Sequence, residues 1–215
     1  MKVWYWNRTK NFGDALGPAI LKRLGLKFEL VERMGQADLV TCGSVLGFGR
    51  FQNGCRFWGT GIMDDSHGGL HPTVADTYEF LAVRGELTRI YAKAPDDVVM
   101  GDPGILVPEL WTATGKRSGL GVVPHYVDKR QYPFADRVIN VQDDVDTVIR
   151  DIASCDRILS SSLHGLIVAQ AYGIPAMRLH HPAVKGGDFK WADYQSAWKD
   201  SLPILQENLL KTLPG

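Results

Sequence analysis

Short apolar runs alternate with polar, glycine-bearing breaks along the whole chain. Val3–Trp6, Phe28–Val31, Ala37–Cys42, Arg56–Thr60, Phe80–Val83 and Val98–Met100 each read as a strand. Between them, a helix is expected from about Ala15 to Leu24, with Asp14 as a candidate cap, Pro18 in its first turn and Gly25 closing it. A second helix begins at Arg84-Gly85-Glu86 and runs to about Ala92. The stretch Glu109–Ser118 breaks the apolar pattern. Beyond it a second set of elements starts, with strands at Leu120–Val123 and Val138–Val141. Val145–Ala153 then carries Val145, Val148, Ile149 and Ile152 at the spacing of one helix face. A final helix is expected from Asp200 or Ser201 to about Leu213. Strand–helix alternation on both sides of one break predicts an α/β protein of two Rossmann-like lobes with parallel sheets and a crevice between them. The lobes are expected over residues 1–112 and 113–215.

The most informative stretch is Arg157–Leu179. A strand at Arg157–Leu159 breaks into Ser160-Ser161-Ser162, then Leu163-His164-Gly165 opens an apolar run to Tyr172. Gly173-Ile174-Pro175 stops that run before a strand at Ala176–Leu179, which completes a βαβ unit. The helix is apolar on nearly every side, as suits one packed between two layers. Its start gathers hydroxyls and a histidine where unpaired backbone N–H groups and the helix dipole favour an anion. Several other strands also end in glycine or serine, at Gly43-Ser44, Gly59-Thr60-Gly61 and Gly85. Ligands of open α/β sheets bind beyond such strand ends.

Composition narrows the function classes. The chain has 215 residues and a net charge of +0. Residues 1–112 hold 12 Lys+Arg against 13 Asp+Glu, and residues 113–215 hold 12 against 11, so neither half is a nucleic-acid surface. Cys42, Cys55 and Cys155 are an odd, widely spaced set that suits small core residues better than disulfides or a zinc site. His180, His181 and Asp188 lack paired ligand spacing, and no metal is expected. The apolar start is too short for a signal segment and no run spans a membrane, so a cytoplasmic protein is expected, compatible with work at the inner membrane face.

Read together and in order, Asn11-x-Gly13-Asp14, Gly59-Thr60-Gly61, Arg84-Gly85-x-x-Thr88, Gly101-Asp102-Pro103, Pro124-His125-Tyr126 and Ser161-Ser162-Leu163-His164-Gly165 resemble the polysaccharide pyruvyl transferase family. The resemblance runs from Asn11 to about Tyr194. It implies a GT-B-like arrangement, with an acceptor side in residues 1–112 and a donor side in 113–215. It implies transfer of pyruvate from phosphoenolpyruvate to a sugar of a bacterial cell-surface polysaccharide or lipid-linked oligosaccharide, forming a cyclic ketal. Phosphoenolpyruvate is then a substrate, and no cofactor is expected. The family's donor contacts carry over to Arg84 and His164. Ser161, Ser162, Leu163, Gly165 and His125 are expected around the donor, and Asn11, Asp14 and Gly61 around the acceptor. Many members place arginine before the Leu-His-Gly phrase. Ser162 stands there in this chain, with Arg178 and Lys185 as candidate replacements.

Plainer readings stand beside these. Asp14 can serve only as a cap, Arg84 as a surface partner of Glu86 or Asp102, and His125 as a loop histidine. Lys190, Trp191 and Tyr194 can line a sugar site or simply pack the C-terminal segment. A nucleotide-sugar glycosyltransferase, or a non-catalytic sugar- or anion-binding relative, would use the same helix start.

Overall fold

The computed structural model describes residues 1–48, 50–65, 70 and 72–214. The first half runs β1 (Lys2–Trp4), α1 (Phe12–Arg23), β2 (Glu29–Leu30), β3 (Leu39–Thr41), β4 (Arg56–Thr60), α2 (Pro72–Ala75), β5 (Glu79–Val83), α3 (Glu86–Ala92) and β6 (Val99–Met100). A 3₁₀ turn at Pro103–Leu106 and the short α4 (Val107–Leu110) lead on to β7 (Leu120–Val123), β8 (Arg137–Val138) and α5 (Val145–Ala153). The chain finishes with β9 (Arg157–Ser160), α6 (Leu163–Ala171), β10 (Ala176–Arg178), α7 (Phe189–Ser196) and α8 (Leu202–Lys211). Two sheets result, ordered β2-β1-β3-β4-β5-β6 and β10-β9-β7-β8. Every strand pair is parallel. The α/β expectation with parallel sheets therefore holds.

Parallel sheets need cover on both faces. Leu39, Val40 and Thr41 of β3 are all buried, with Leu39 in the cluster that faces α1 and Val40 in a second cluster on the opposite face with Trp4, Phe57 and Ala92. The first cluster does not stop at the first sheet. It continues from Leu16 and Ile105 through Ile167 to Val123 and Ile158 of the second sheet. The layer between the sheets is α1, the Pro103–Leu106 turn and α6. Gly104 brings that turn close, since a Cβ on it would lie 3.0 Å from Ile167 Cγ2. The uniformly apolar α6 follows from this position, with apolar neighbours on all sides. The backbone also joins the halves, where Phe12 N donates to Val141 O at 2.7 Å.

Local chemistry explains the boundaries. Asp144 accepts from Thr147 N at 2.9 Å and caps α5, whose span is the one expected. Asp102 accepts from Gly104 N at 2.9 Å, and Pro103 sits in the first turn that follows. Helix α1 starts earlier than the sequence suggests, with Asn11 at the cap position and Asp14 inside the first turn, so Asp14 is not the cap. Helix α7 was not expected as a helix. It packs on α3, α8 returns to β6, and Trp58 Nε1 of β4 donates to Leu209 O at 3.3 Å. Gly85 permits the α7 contact, because a Cβ there would lie 1.8 Å from the Asp193 carbonyl oxygen. Among the described residues, no helix is long and apolar enough to cross a membrane.

Candidate functional site

A cavity of about 700 Å³ opens at the carboxyl ends of the strands of both sheets. In each sheet it lies where the strand order reverses, which is where such sheets leave a crevice. From the first sheet, Asn11 and Asp14 follow β1, and Gly43 and Ser44 follow β3. From the second, His125 and Tyr126 follow β7, and Ser162, Leu163 and His164 follow β9. Lys185 and Lys190 close the wall after β10.

At the start of α6, Ser162 takes extended backbone angles and lines the cavity without a side-chain capping bond. The neighbouring serines face inward. Ser161 Oγ donates to Asp128 Oδ2 at 2.7 Å and accepts from His125 N at 2.9 Å, which fixes the loop after β7. Gly165 sits against the sheet, where a Cβ would lie 2.6 Å from Ser160 Oγ and 2.7 Å from Val123 Cγ1. Ser161 and Gly165 thus brace the helix start from behind while Ser162, Leu163 and His164 meet the cavity. Burial pushes the Asp128 carboxyl up, but hydrogen bonds from Arg130, Tyr132 and Ser161 outweigh it and hold the group well below the usual carboxylate range.

His164 is the second residue of α6 and is only 7% exposed. Its Nε2 lies 3.3 Å from Asp102 Oδ2, and neither atom has another hydrogen-bond partner. Two buried polar atoms left facing each other form a natural pair. With the carboxylate as acceptor, Nε2 carries the proton. The other ring nitrogen, Nδ1, faces Gly13, where a Cβ would lie 2.3 Å away. The glycine of the Asn-x-Gly-Asp phrase is therefore what gives the imidazole its room.

Cys42 completes this corner, in left-handed backbone (φ 46°) at the end of β3. Among the described residues, Cys42, Asp102 and His164 are the group whose donor atoms gather closely enough for a metal ion, within 4.8 Å of one another. Burial first, and then the Asp102 charge, push the Cys42 thiol well above its ordinary pKa.

The cavity walls are electrostatically unusual. Asp14 is half-buried, and desolvation raises its pKa despite a 2.6 Å hydrogen bond from Asn11 Nδ2 and the charges of His164 and Lys190. Burial and the Lys190 charge lower His125 to about 4. Burial, with Arg84 and Arg178 nearby, lowers Lys190 to about 8.

Four of the residues expected at the ligand do not line the cavity: Ser161 and Gly165, which brace the helix start from behind, and Arg84 and Gly61. Arg84 has no exposed surface. Its Nε donates to Asp193 Oδ2 at 2.8 Å, one terminal nitrogen to Ser44 Oγ at 2.5 Å and the other to the Ile62 carbonyl at 2.7 Å. Gly61 lies over this guanidinium, with its Cβ position 2.2 Å from Arg84 Cζ. Arg84 therefore holds the wall residues Ser44 and Ile62 in place, and its partner is neither Glu86 nor Asp102 but Asp193. Arg178 is engaged as well, pairing with Asp188 at 2.7 Å and stacking on Trp191. Lys185 is exposed at the cavity edge. The cavity also takes Trp6, Phe48, Arg50 and Met63, which the sequence did not single out as site residues. Asp102 was visible in its Gly-Asp-Pro phrase, but only as a turn residue.

Comparison with known proteins bears on this arrangement. The chain is 33% identical over 134 residues to an uncharacterized protein of Acanthamoeba polyphaga mimivirus, covering 54% of this chain and 47% of that protein. It thus spans about half the length of the curated relative it matches. No solved structure matches. Residues 57–179 match the family described as polysaccharide pyruvyl transferase, from β4 to the end of β10 and across the Asp102 and His164 phrases. More than half of the sequence lies within that match, and the chain belongs to the polysaccharide pyruvyl transferase family.

Proposed function

We propose that the cavity is the active site of a pyruvyl transferase that moves pyruvate from phosphoenolpyruvate onto two hydroxyls of a sugar, free or lipid-linked, as a cyclic ketal. The observation that carries this reading is the buried Asp102–His164 pair at the start of α6, set in a wall that also presents Lys190, His125 and Asp14. The donor is a compact dianion or trianion, and a helix start flanked by cations suits it. The two sheets then serve as the two lobes of a GT-B-like enzyme, residues 1–112 facing the acceptor and 113–215 the donor.

The chemistry needs one proton delivered and one removed. His164 in its imidazolium form donates from Nδ1 to C3 of the enol, which becomes a methyl group, while Nε2–H stays on Asp102. A sugar hydroxyl adds to C2 and gives its proton to Asp14. Burial raises the Asp14 pKa, which makes it a stronger base. A second hydroxyl then forms its own bond to C2 as the bond to the phosphate oxygen breaks, and phosphate leaves with the electron pair. The proton of that hydroxyl leaves with phosphate, and the one on Asp14 restores His164. Asn11 holds the Asp14 carboxyl, and Gly13, lacking a Cβ, leaves the imidazole its place.

The test supplies phosphoenolpyruvate labelled with carbon-13 at C2 and a panel of free and lipid-linked saccharides. The expected product carries a labelled ketal carbon, with one phosphate released per ketal. Transfer from a nucleotide sugar instead, with no ketal from any acceptor, would overturn the reading.

A further inference from the structure

Three cationic side chains cluster behind and beside the cavity, and the protein neutralises two of them. Arg84 pairs with Asp193, and Arg178 pairs with Asp188. The third, Lys190, lines the cavity and is only 6% exposed, yet among the described residues it belongs to no ion pair. An unpaired buried ammonium is costly, and a fold that keeps one has a counter-ion that comes from elsewhere. We propose that Lys190 is the counter-cation of the donor, ion-pairing with an anionic group of phosphoenolpyruvate. This rests on the donor reading of the cavity given above.

The surroundings fit that role. Helix α7 presents Lys190, Asp193 and Tyr194 as buried residues, and Asp193 is already saturated by Arg84 and by Thr88, whose N and Oγ1 both donate to it at 2.6 Å. The charges that face Lys190 are Arg84 at the end of β5, Arg178 at the end of β10, His125 after β7 and Asp14 in α1. Only Asp14 favours the ammonium, and burial raises the pKa of Asp14 itself. His164, Lys185, Arg50 and Asp64 line the same cavity. The Lys190 charge is thus disfavoured in the empty site, and its pKa falls to about 8. An anion entering the cavity reverses the balance and charges the amine. Near pH 8 donor binding must therefore draw a proton from solution, by linkage.

The experiment is a calorimetric titration of phosphoenolpyruvate at pH 8 in two buffers of different ionisation enthalpy, with wild type, Lys190→Met and Lys190→Arg. Wild type is expected to take up a substantial fraction of one proton per phosphoenolpyruvate bound. K190M is expected to bind at least about tenfold more weakly, as for loss of one charge-assisted contact, and with less uptake than wild type. K190R is expected to recover most of the affinity while keeping the reduced uptake, because arginine stays charged. The unliganded midpoint of K190M should not fall, since the removed charge is unpaired. Wild-type binding without proton uptake, or K190M binding with wild-type affinity and uptake, overturns the assignment of Lys190. Wild type that does not bind phosphoenolpyruvate at all overturns the donor reading on which it rests.

Discussion

Replacing Arg84 with methionine separates a structural arginine from a ligand-binding one. The guanidinium is fully buried and reaches Asp193 at 2.8 Å, Ser44 at 2.5 Å and the Ile62 carbonyl at 2.7 Å. Arg84→Met leaves Asp193 as a buried carboxylate whose remaining donors are the N and Oγ1 of Thr88. Removing one partner of a buried pair costs about 3–5 kcal/mol, and the Thr88 contacts argue for the lower half of that range. At roughly 2–4 °C per kcal/mol for a chain of this size, the unliganded melting midpoint should fall by roughly 6–16 °C. The double variant Arg84→Met/Asp193→Leu removes both charges and should recover much of that loss, which a double-mutant cycle reads as coupling. The assay is thermal unfolding without ligand, followed by phosphoenolpyruvate titration below the midpoint. An R84M midpoint within about 2 °C of wild type (the ordinary range for surface changes), together with abolished donor binding, would refute the reasoning. Arg84 would then be facing the ligand.

Gly13→Ala places a Cβ 2.3 Å from His164 Nδ1 and forces the ring to move by about 1 Å to reach ordinary contact. Helix propensity favours alanine by up to about 1 kcal/mol, which offsets part of an overpacking cost of about 1–3 kcal/mol. Stability should therefore change little while turnover drops on the order of 100-fold, measured by phosphate release. Asp102→Asn keeps the shape beside Nε2 but removes the charge, so kcat should fall with KM for phosphoenolpyruvate nearly unchanged and the pH profile displaced. An unaltered profile would remove Asp102 from the account. His125, lowered to about 4 from its usual 6.5 by burial and then by Lys190, is more readily protonated unfolded than folded. Its contribution to stability is complete above pH 6.5 and is lost as pH falls toward 4. His125→Gln should flatten that acid-side loss in denaturation curves taken between pH 7 and 4.

Several strand ends were legible because they couple an apolar run to a glycine or serine, as after β3, β4 and β5, and β4 and β7 fall where the runs do. Helix α5 was legible for a second reason, since its apolar residues keep one face. Helix α7 was not legible. Its buried face carries Lys190 and Asp193, which a hydrophobic pattern reads as polar, and Asp193 is buried with its charge met by Arg84, 109 residues away in sequence. The same separation concealed that Arg84 is satisfied by the protein itself. Ser162, Leu163, His164 and His125 could be placed at the site from the chemistry of a helix start and a strand end. Ser161 belongs to the same phrase but points the other way, toward Asp128, and sequence spacing alone does not distinguish it from Ser162.

The central claim is that phosphoenolpyruvate binds against His164 at the start of α6. Histidine side-chain NMR of the protein during a phosphoenolpyruvate titration tests it most directly, with UDP-glucose as the comparison ligand and His164→Gln to assign the signal. The account predicts saturable one-to-one binding that shifts the His164 imidazole resonances, while UDP-glucose leaves them in place. A His164 signal unmoved at saturating phosphoenolpyruvate, or moved by UDP-glucose alone, would contradict it.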